Sequence, residues 1–255
     1  IWLGIGTYGL AVQNREDNSF RFFSSIPEVS DIKSMATVYA IIQRKLSGEI
    51  WIGTYDDGLF IYKKGEKVKH YTEKKSDFIK FPCITALYED LNGNCWVGTR
   101  FGLGVKRADG TGYLFPSING IDPNWIYVKD ICEDALGNIW IATSNNGIIR
   151  IKGNINMPET LSFRHYIPDN KSLLAKEALC IHTDKAGRVW AGTESNGLVL
   201  YNEQTDSFEN KSRLFNVPGD MIGSIEEDNE GSLWLGTDNG LIRLRVINEN
   251  EAVLR

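Results

Sequence analysis

Basic residues are in the minority in this sequence, 28 lysines and arginines against 33 carboxylates, leaving a formal charge of -5. That balance excludes the positive footprint with which a chain binds nucleic acid. No apolar run approaches the roughly 18 residues that cross a membrane as a helix. Cysteine is scarce. Cys83, Cys95, Cys132 and Cys180 stand apart with no Cys-x-x-Cys pair, and the histidines, His70, His165 and His182, are scattered too. A metal centre needs such ligands clustered, so no metal site is expected, and no cofactor. Each cysteine replaces an apolar residue in a strand-like run and reads as a buried free thiol. Also missing is any stretch with apolar residues at i, i+3, i+4 and i+7, which leaves essentially no helix to expect.

What is present in quantity is a repeat. The chain is 42% hydrophobic and 11% aromatic, enough for a packed core. "NGNCWVGTRFGLGV" from Asn92 has close variants at Ser47 ("SGEIWIGTYDDGLFI"), Leu136, Ala186 and Glu230, and "IWLGIGTYGLAV" at the start is a copy without its lead-in. The repeat tryptophans, Trp2, Trp51, Trp96, Trp140, Trp190 and Trp234, are 49, 45, 44, 50 and 44 residues apart. A period in the forties with short strand-like segments inside it is the signature of a β-propeller.

The unit from Cys83 shows four strands: "CITALYED", a tight "LNGN" turn, "CWVGT", a short "RFG" turn, "LGVKRA", then "TGYLF". The first three strands are apolar at nearly every position, as in sheets buried on both faces. The fourth are polar; the lysine-rich stretch 63–75 reads as a solvated edge. Two insertions lengthen the period, one between Phe23 and Tyr39, the other ("GNINMPET") from Gly153. The fold class expected is all-β: four-stranded antiparallel propeller blades, about six of them, in a single segment over 1–255. Ile1 opens on a second strand, and the C-terminal "NENEAVLR" supplies at most a fourth. The chain therefore reads as part of a larger or incomplete propeller, a fragment or processed form.

The registered residues read as architecture. Asp90, Asp134, Asp184 and Asp228 each stand six residues before a repeat tryptophan. An Asp there opens a hairpin turn by bonding the backbone two residues on, with Gly following at positive φ. The second unit has Lys45 at that place. The tryptophans fill the wedge between blades, and the Gly-Thr and Gly-Leu pairs allow the reversal between strands two and three.

Function is then sought where the repeat varies. The second-to-third turns lie at the same end as the connections entering each first strand. They read Tyr8, Tyr55-Asp56-Asp57, Arg100-Phe101, Ser144-Asn145-Asn146, Glu194-Ser195-Asn196 and Asp238-Asn239. Aromatic faces, amides, carboxylates and an arginine suit a polyhydroxylated ligand; short polar residues are also what any hairpin uses. Trp125 is the tryptophan out of register, in the connection entering the fourth unit, and serves either as a stacking platform or as local packing. The candidate rim is Trp125, Arg100, Phe101, Tyr55, Asp57, Asn145, Glu194, Asn196 and Asp238. In it Trp125 would stack on a sugar ring, and Arg100 would meet a carboxylate or sulfate if the glycan is acidic. No residue is assigned a catalytic role.

"ITALYEDLNGNCWVGTRFGLGVK" from Ile84 and "SIEEDNEGSLWLGTDNGLIRL" from Ser224 resemble the regulator-propeller repeat of hybrid two-component systems, and "HYIPDNKSLL" from His165 is similar to that family's inter-blade connection. The resemblance implies a periplasmic sensor that binds an oligosaccharide, acts as a homodimer through the full-length protein, and has its membrane span, kinase and DNA-binding regulator outside this segment. Two other readings stand beside it. One is a protein-interaction propeller. The other is a propeller lyase of the streptogramin-inactivating type, for which His182 and Glu177 would be the acid–base candidates; the Phe-Thr-Glu that follows the tryptophan in that family is replaced here by Gly-Thr or Ala-Thr.

Overall fold

The computed structural model describes residues 2–5, 9–14, 16–22, 37–118, 120–168, 172–173 and 175–254. Tyr8, residues 23–36 of the first insertion, and positions 169–171 and 174 of the His165 segment lie outside them. The chain forms two compact units, Ile1–Pro116 and Ser117–Arg255.

Unit 1 holds three antiparallel sheets. The first is β1 (Trp2–Ile5), β2 (Gly9–Gln13) and β3 (Phe20–Phe22). The second is β4 (Val38–Gln43), β5 (Ile50–Thr54), β6 (Leu59–Tyr62) and β7 (Lys69–Tyr71). The third is β8 (Ile84–Glu89), β9 (Cys95–Thr99), β10 (Gly102–Lys106) and β11 (Gly112–Leu114). Unit 2 repeats the four-stranded sheet three times. Its sheets are β12 (Val128–Glu133), β13 (Ile139–Thr143), β14 (Ile148–Lys152) and β15 (Ser162–Tyr166); β16 (Ala178–Thr183), β17 (Val189–Thr193), β18 (Leu198–Asn202) and β19 (Ser207–Asn210); and β20 (Ile222–Glu227), β21 (Leu233–Thr237), β22 (Gly240–Asn248) and β23 (Glu251–Leu254). These are six propeller blades. In the first, the strand with Trp2 matches the second strand of the others, as its sequence implies. Helix among the described residues is limited to short pieces, of which Ser212–Phe215 is the α-helical one. "GNINMPET" forms a loop between β14 and β15 containing the short turn Pro158–Thr160.

The second strands β5, β9, β13 and β17 are buried at every position. The first strands are not: β4 and β20 alternate with partly or fully exposed residues, because each first strand is the edge of its own sheet. Each of the five first strands among the described residues also bulges at its second residue, at Tyr39, Thr85, Lys129, Leu179 and Gly223. Such a bulge bends the strand and re-aims the side chain it carries.

The registered aspartates do more than open turns. Asp134 Oδ1 accepts the backbone N–H of Leu136 (3.0 Å) and Asn138 (2.9 Å), while its Oδ2 accepts the indole N–H of Trp140 at 2.7 Å. Asp90, Asp184 and Asp228 bind Trp96, Trp190 and Trp234 in the same way. The carboxylate thus ties the first hairpin turn to the ring that fills the blade. Where Lys45 takes the place, Glu49 Oε2 accepts the Trp51 indole at 3.3 Å instead. Gly93, three residues after Asp90, has the expected positive φ of 78°. The glutamate before the aspartate stitches blades together: Glu89 accepts the backbone N–H of Lys45 at 2.8 Å, and Glu227 that of Lys185 at 2.8 Å.

In unit 2 the wedge between the fourth and fifth blades is closed by a polar knot. Asp206 accepts the hydroxyls of Tyr166 (2.7 Å) and Tyr201 (2.8 Å) and pairs with Arg150 (3.2 Å) and Arg164 (2.9 Å). Arg150 also donates to the Tyr201 hydroxyl at 2.6 Å, with its guanidinium carbon 5.2 Å from the centroid of the Trp140 ring.

All four cysteines are free and buried. Burial pushes the Cys95 thiol up to about 12 and raises Cys132 and Cys180 as well. The last two face different partners, Cys132 Sγ the hydroxyl of Thr183 at 3.5 Å and Cys180 Sγ the carbonyl of Ile222 at 3.6 Å. A disulfide needs Cβ atoms about 3.8 Å apart with the sulfurs turned to each other. Thiol titration of the denatured, unreduced protein is therefore expected to count four, and a count of two would show a bridge.

Candidate functional site

The second-to-third turns are held by a frame that recurs in five blades. A threonine ends the second strand, and its hydroxyl donates to the carbonyl of the turn glycine: Thr54 to Gly58 (2.9 Å), Thr99 to Gly102 (3.0 Å), Thr143 to Gly147 (2.9 Å), Thr193 to Gly197 (3.0 Å) and Thr237 to Gly240 (2.9 Å). The next residue donates its backbone N–H to the carbonyl just before the first strand of its own blade, as Tyr55 does to Thr37 (2.9 Å) and Ser144 to Tyr127 (2.9 Å). The glycine reaches onward: the N–H groups of Gly58, Gly147 and Gly197 bond the carbonyls of Pro82, Lys176 and Asp220, ahead of the following blade's first strand. Gly58 has φ +75°, and a Cβ there would lie 2.2 Å from the Tyr71 carbonyl oxygen, so the frame needs glycine. The turns and the first-strand connections thus share one end of each blade, as the sequence suggests.

A third bond comes from the fourth strand. His70 Nε2 meets the Asp57 carbonyl at 2.6 Å, His165 Nε2 meets the Asn146 carbonyl at 2.5 Å, and the Asn210 side-chain amide donates to the Asn196 carbonyl. Two of the three histidines are therefore turn clamps. Burial outweighs the bond at His165 and holds its pKa below the ordinary imidazole value.

In unit 1, Tyr55 is 43% exposed and its ring meets Tyr39 edge-on, centroids 5.5 Å apart. Phe101 packs edge-on against Phe81 at 4.5 Å, and the Arg100 guanidinium lies 5.8 Å from the centroid of the Phe101 ring. The Asp57 carboxylate is 3.3 Å from His70, so it belongs largely to the clamp. Tyr39 and Phe81 are additions that pattern reading missed. Their signal was available: both are aromatics at the start of a first strand or just before it, where the chain turns out to solvent.

In unit 2, Trp125 ends the short turn Pro123–Trp125 and is 69% exposed. Its carbonyl accepts the Asn146 side-chain amide at 2.6 Å, and the same amide donates to Asn145 Oδ1 at 3.0 Å. The residue is thus held through its backbone while most of its surface is in solvent. Ser144 donates to Glu177 at 3.3 Å. Burial, and then the hydrogen bond and charge of Glu194, raise the Glu177 pKa. Asn196 gives its carbonyl to the Asn210 clamp and its N–H to Thr193 (2.9 Å). Asp238 lies against Gly219, where a Cβ would stand 2.1 Å from its Oδ1. The structure brings Trp125 together with Asn145 and Asn146, and Glu194 with Glu177; Asn196 is tied to the frame through its backbone, as Asn146 is, and the Asp238 carboxylate stands beside Gly219.

His182, on β16, has a buried Nε2 without a hydrogen-bond partner. Glu177, its acid–base companion in the lyase reading, is engaged with Ser144 and Glu194 at the turn end. Acid–base chemistry wants both groups converging on one reacting atom.

Residues 120–145 and 216–239 match the two-component regulator propeller family. An 88-residue stretch, 32% of this chain, is 36% identical to a protein named histidine kinase P4 of Formosa agariphila, covering 6% of that protein. The fold is similar to the crystallised extracellular domain of the hybrid two-component system BT3049 of B. thetaiotaomicron, with TM-score 0.76 and 22% identity over 94% of this chain. This chain spans 31% of that domain. Virginiamycin B lyase of Staphylococcus aureus is similar in fold too, with TM-score 0.61 and 19% identity over 86% of this chain and 69% of the lyase. The fold is a β-propeller, and stretches in two of its blades match the two-component regulator repeat.

Proposed function

We propose that this run of two-component regulator propeller blades is the extracytoplasmic ligand-sensing part of a bacterial two-component signalling protein. It binds an oligosaccharide and passes its occupancy to a histidine kinase elsewhere in the protein, beyond a membrane span, with two copies acting as a homodimer. The reading assigns this segment no catalytic step and no contact with nucleic acid. Its placement draws on the likeness to the extracellular domain of a two-component system and to a kinase-named protein. Among the described residues no helix is long and apolar enough to cross a membrane.

The ligand class rests on Trp125. A tryptophan 69% exposed, fixed through its backbone and flanked by Asn145 and Asn146, offers a flat apolar face beside amide donors and acceptors. A pyranose ring presents the matching pair, a C–H face and a rim of hydroxyls. Because the frame is made by the Thr143 hydroxyl, Gly147 and His165, removing the Trp125 ring leaves it standing. Trp125→Ala is expected to weaken oligosaccharide binding at least about tenfold with the melting temperature nearly unchanged. Calorimetric titration and thermal melts of the two proteins test this. Unchanged binding in the variant moves the site elsewhere, and failure of the parent chain to bind any sugar removes the reading.

One observation favours a second reading, protein interaction. Leu46 and Leu91, at the opposite hairpin turns of neighbouring blades in unit 1, are 89% and 76% exposed. Isolated apolar tips of this kind are common on surfaces, so the reading stays second.

A further inference from the structure

The aromatic residues of unit 1 form a surface that no blade requires. Tyr39 is the bulge residue of β4, and the same bulge elsewhere carries Thr85, Lys129, Leu179 or Gly223. Phe81 stands three residues before its first strand; in the fifth and sixth blades that place holds Ala175 and Gly219. Tyr55 follows the turn threonine, where later blades have Ser144, Glu194 and Asp238. The frame accepts small or polar residues at all three places. Yet Tyr39, Tyr55 and Phe81 are exposed to 49%, 43% and 39%. Leaving that much apolar surface in water costs about 25 cal/mol per Å², a cost that an occupant offsets.

The two ring pairs belong to one surface. Gly58, in the turn that carries Tyr55, donates to the carbonyl of Pro82, next to Phe81. Arg100 donates its backbone N–H to Cys83, two residues beyond Phe81, while its guanidinium sits at the Phe101 ring. Tyr39–Tyr55 and Phe81–Phe101 therefore lie at the same end of adjacent blades, in turns that also carry Asp56 and Arg100. The charged residues that adjoin the rings in sequence are two of each sign, Lys80 and Arg100 with Asp56 and Asp57. Phe81 also shares its register, three residues before the first strand, with Trp125 of unit 2.

We propose that this shelf is a sugar-binding subsite of unit 1 in its own right, taking an uncharged, ribbon-shaped oligosaccharide. Flat β-1,4-linked chains show a C–H face at every ring, which suits successive aromatic pairs. The balanced charge gives no gain to a sulfated or uronic chain, and the polar residues of the same turns match hydroxyls better than an apolar peptide. The proposal rests on the oligosaccharide reading above.

The test is calorimetric titration of the chain with cellohexaose, mannohexaose and xylohexaose, with α-linked maltohexaose and a sulfated carrageenan hexasaccharide for comparison. At least one ribbon-shaped sugar is expected to bind in preference to the comparators. Phe81→Ala and Tyr55→Ala are each expected to weaken it about tenfold, a single stacked ring's worth, with melting unchanged. Upfield ring-current shifts of the sugar C–H protons should shrink in the same variants. If both variants bind as the parent does while Trp125→Ala fails, the shelf proposal is overturned and the sensor reading stands. If the charged or α-linked sugar binds best, or a phenylalanine-rich peptide competes for the shelf ahead of the sugars, the ligand class is overturned. If no sugar binds the parent chain, both fall together.

Discussion

Trp140→Ala is expected to destabilise unit 2 by about 3–5 kcal/mol, the range for emptying a large aromatic site in a packed core. The ring is 1% exposed. It stacks on Tyr166 at 5.6 Å, tilts onto Tyr201 of the next blade at 4.7 Å, and meets Phe208 edge-on at 5.8 Å. Its removal opens a void between two blades whose backbones are pinned at both ends, so collapse recovers little. It also takes from Asp134 the indole donor at 2.7 Å and from Arg150 one of its ring faces. Trp140→Phe keeps most of the volume and loses the indole bond, and about 1–2 kcal/mol is expected. Urea denaturation followed by far-ultraviolet circular dichroism measures both. A Trp140→Ala loss below about 1 kcal/mol would mean that the ring does not fill the wedge. Set beside Trp125→Ala, the pair separates the two kinds of tryptophan, one that holds blades and one that offers a face.

Asp206→Ala is the second large effect, about 2–4 kcal/mol. Breaking a buried ion pair from one side costs about 3–5 kcal/mol; the figure is reduced here because the Asp206 side chain is 39% exposed. Arg150, 9% exposed, is left with the Tyr201 hydroxyl as its hydrogen-bonded partner, and the Tyr166 hydroxyl loses its acceptor. Asp206 has φ +47°, which aspartate and asparagine tolerate better than alanine. Asp206→Asn is therefore the milder control: it keeps an acceptor and the backbone conformation and loses the charge. Burial pushes the Asp206 carboxyl up, but the Tyr166 and Tyr201 hydroxyls, with Arg150 and Arg164, outweigh it and hold the pKa below the usual aspartate value. A depressed folded pKa gives stability that is fully present above the unfolded value of about 3.9 and is lost as pH falls through the folded one. The advantage of the parent over Asp206→Asn should be constant near neutrality and vanish in acid. A gap that persists unchanged at pH 2 would assign it to packing.

The blades were legible because their signals are local. An Asp, a Gly three residues on and a Trp six residues on lie within one hairpin, so their spacing survives as a pattern in the chain. The Asp206 knot was not legible. Arg150 and Asp206 are 56 residues apart, Tyr166 and Asp206 40, and they meet only once two blades stack, which no local pattern encodes. The same holds for His70 and His165. As isolated histidines they suggested nothing, whereas across the sheet each reaches the turn of its own blade. At the candidate site, sequence variation found the turns but could not tell a side chain serving the frame from one left over. Asp57 goes to His70, while Trp125 and Tyr55 remain in solvent. Exposure is a tertiary quantity, and so Phe81 passed as an ordinary residue before a strand.

The turn frame has a bearing on how such a chain diversifies. Threonine hydroxyl, turn glycine and fourth-strand clamp bind backbone atoms, whatever side chains stand between them. Ser144-Asn145-Asn146, Glu194-Ser195-Asn196 and Tyr55-Asp56-Asp57 are held by the same three fixings. A duplicated blade is thus born with a blank presentation loop already folded. New specificities can be written onto it by single-codon changes without renegotiating the scaffold, much as type is exchanged in a fixed printing forme.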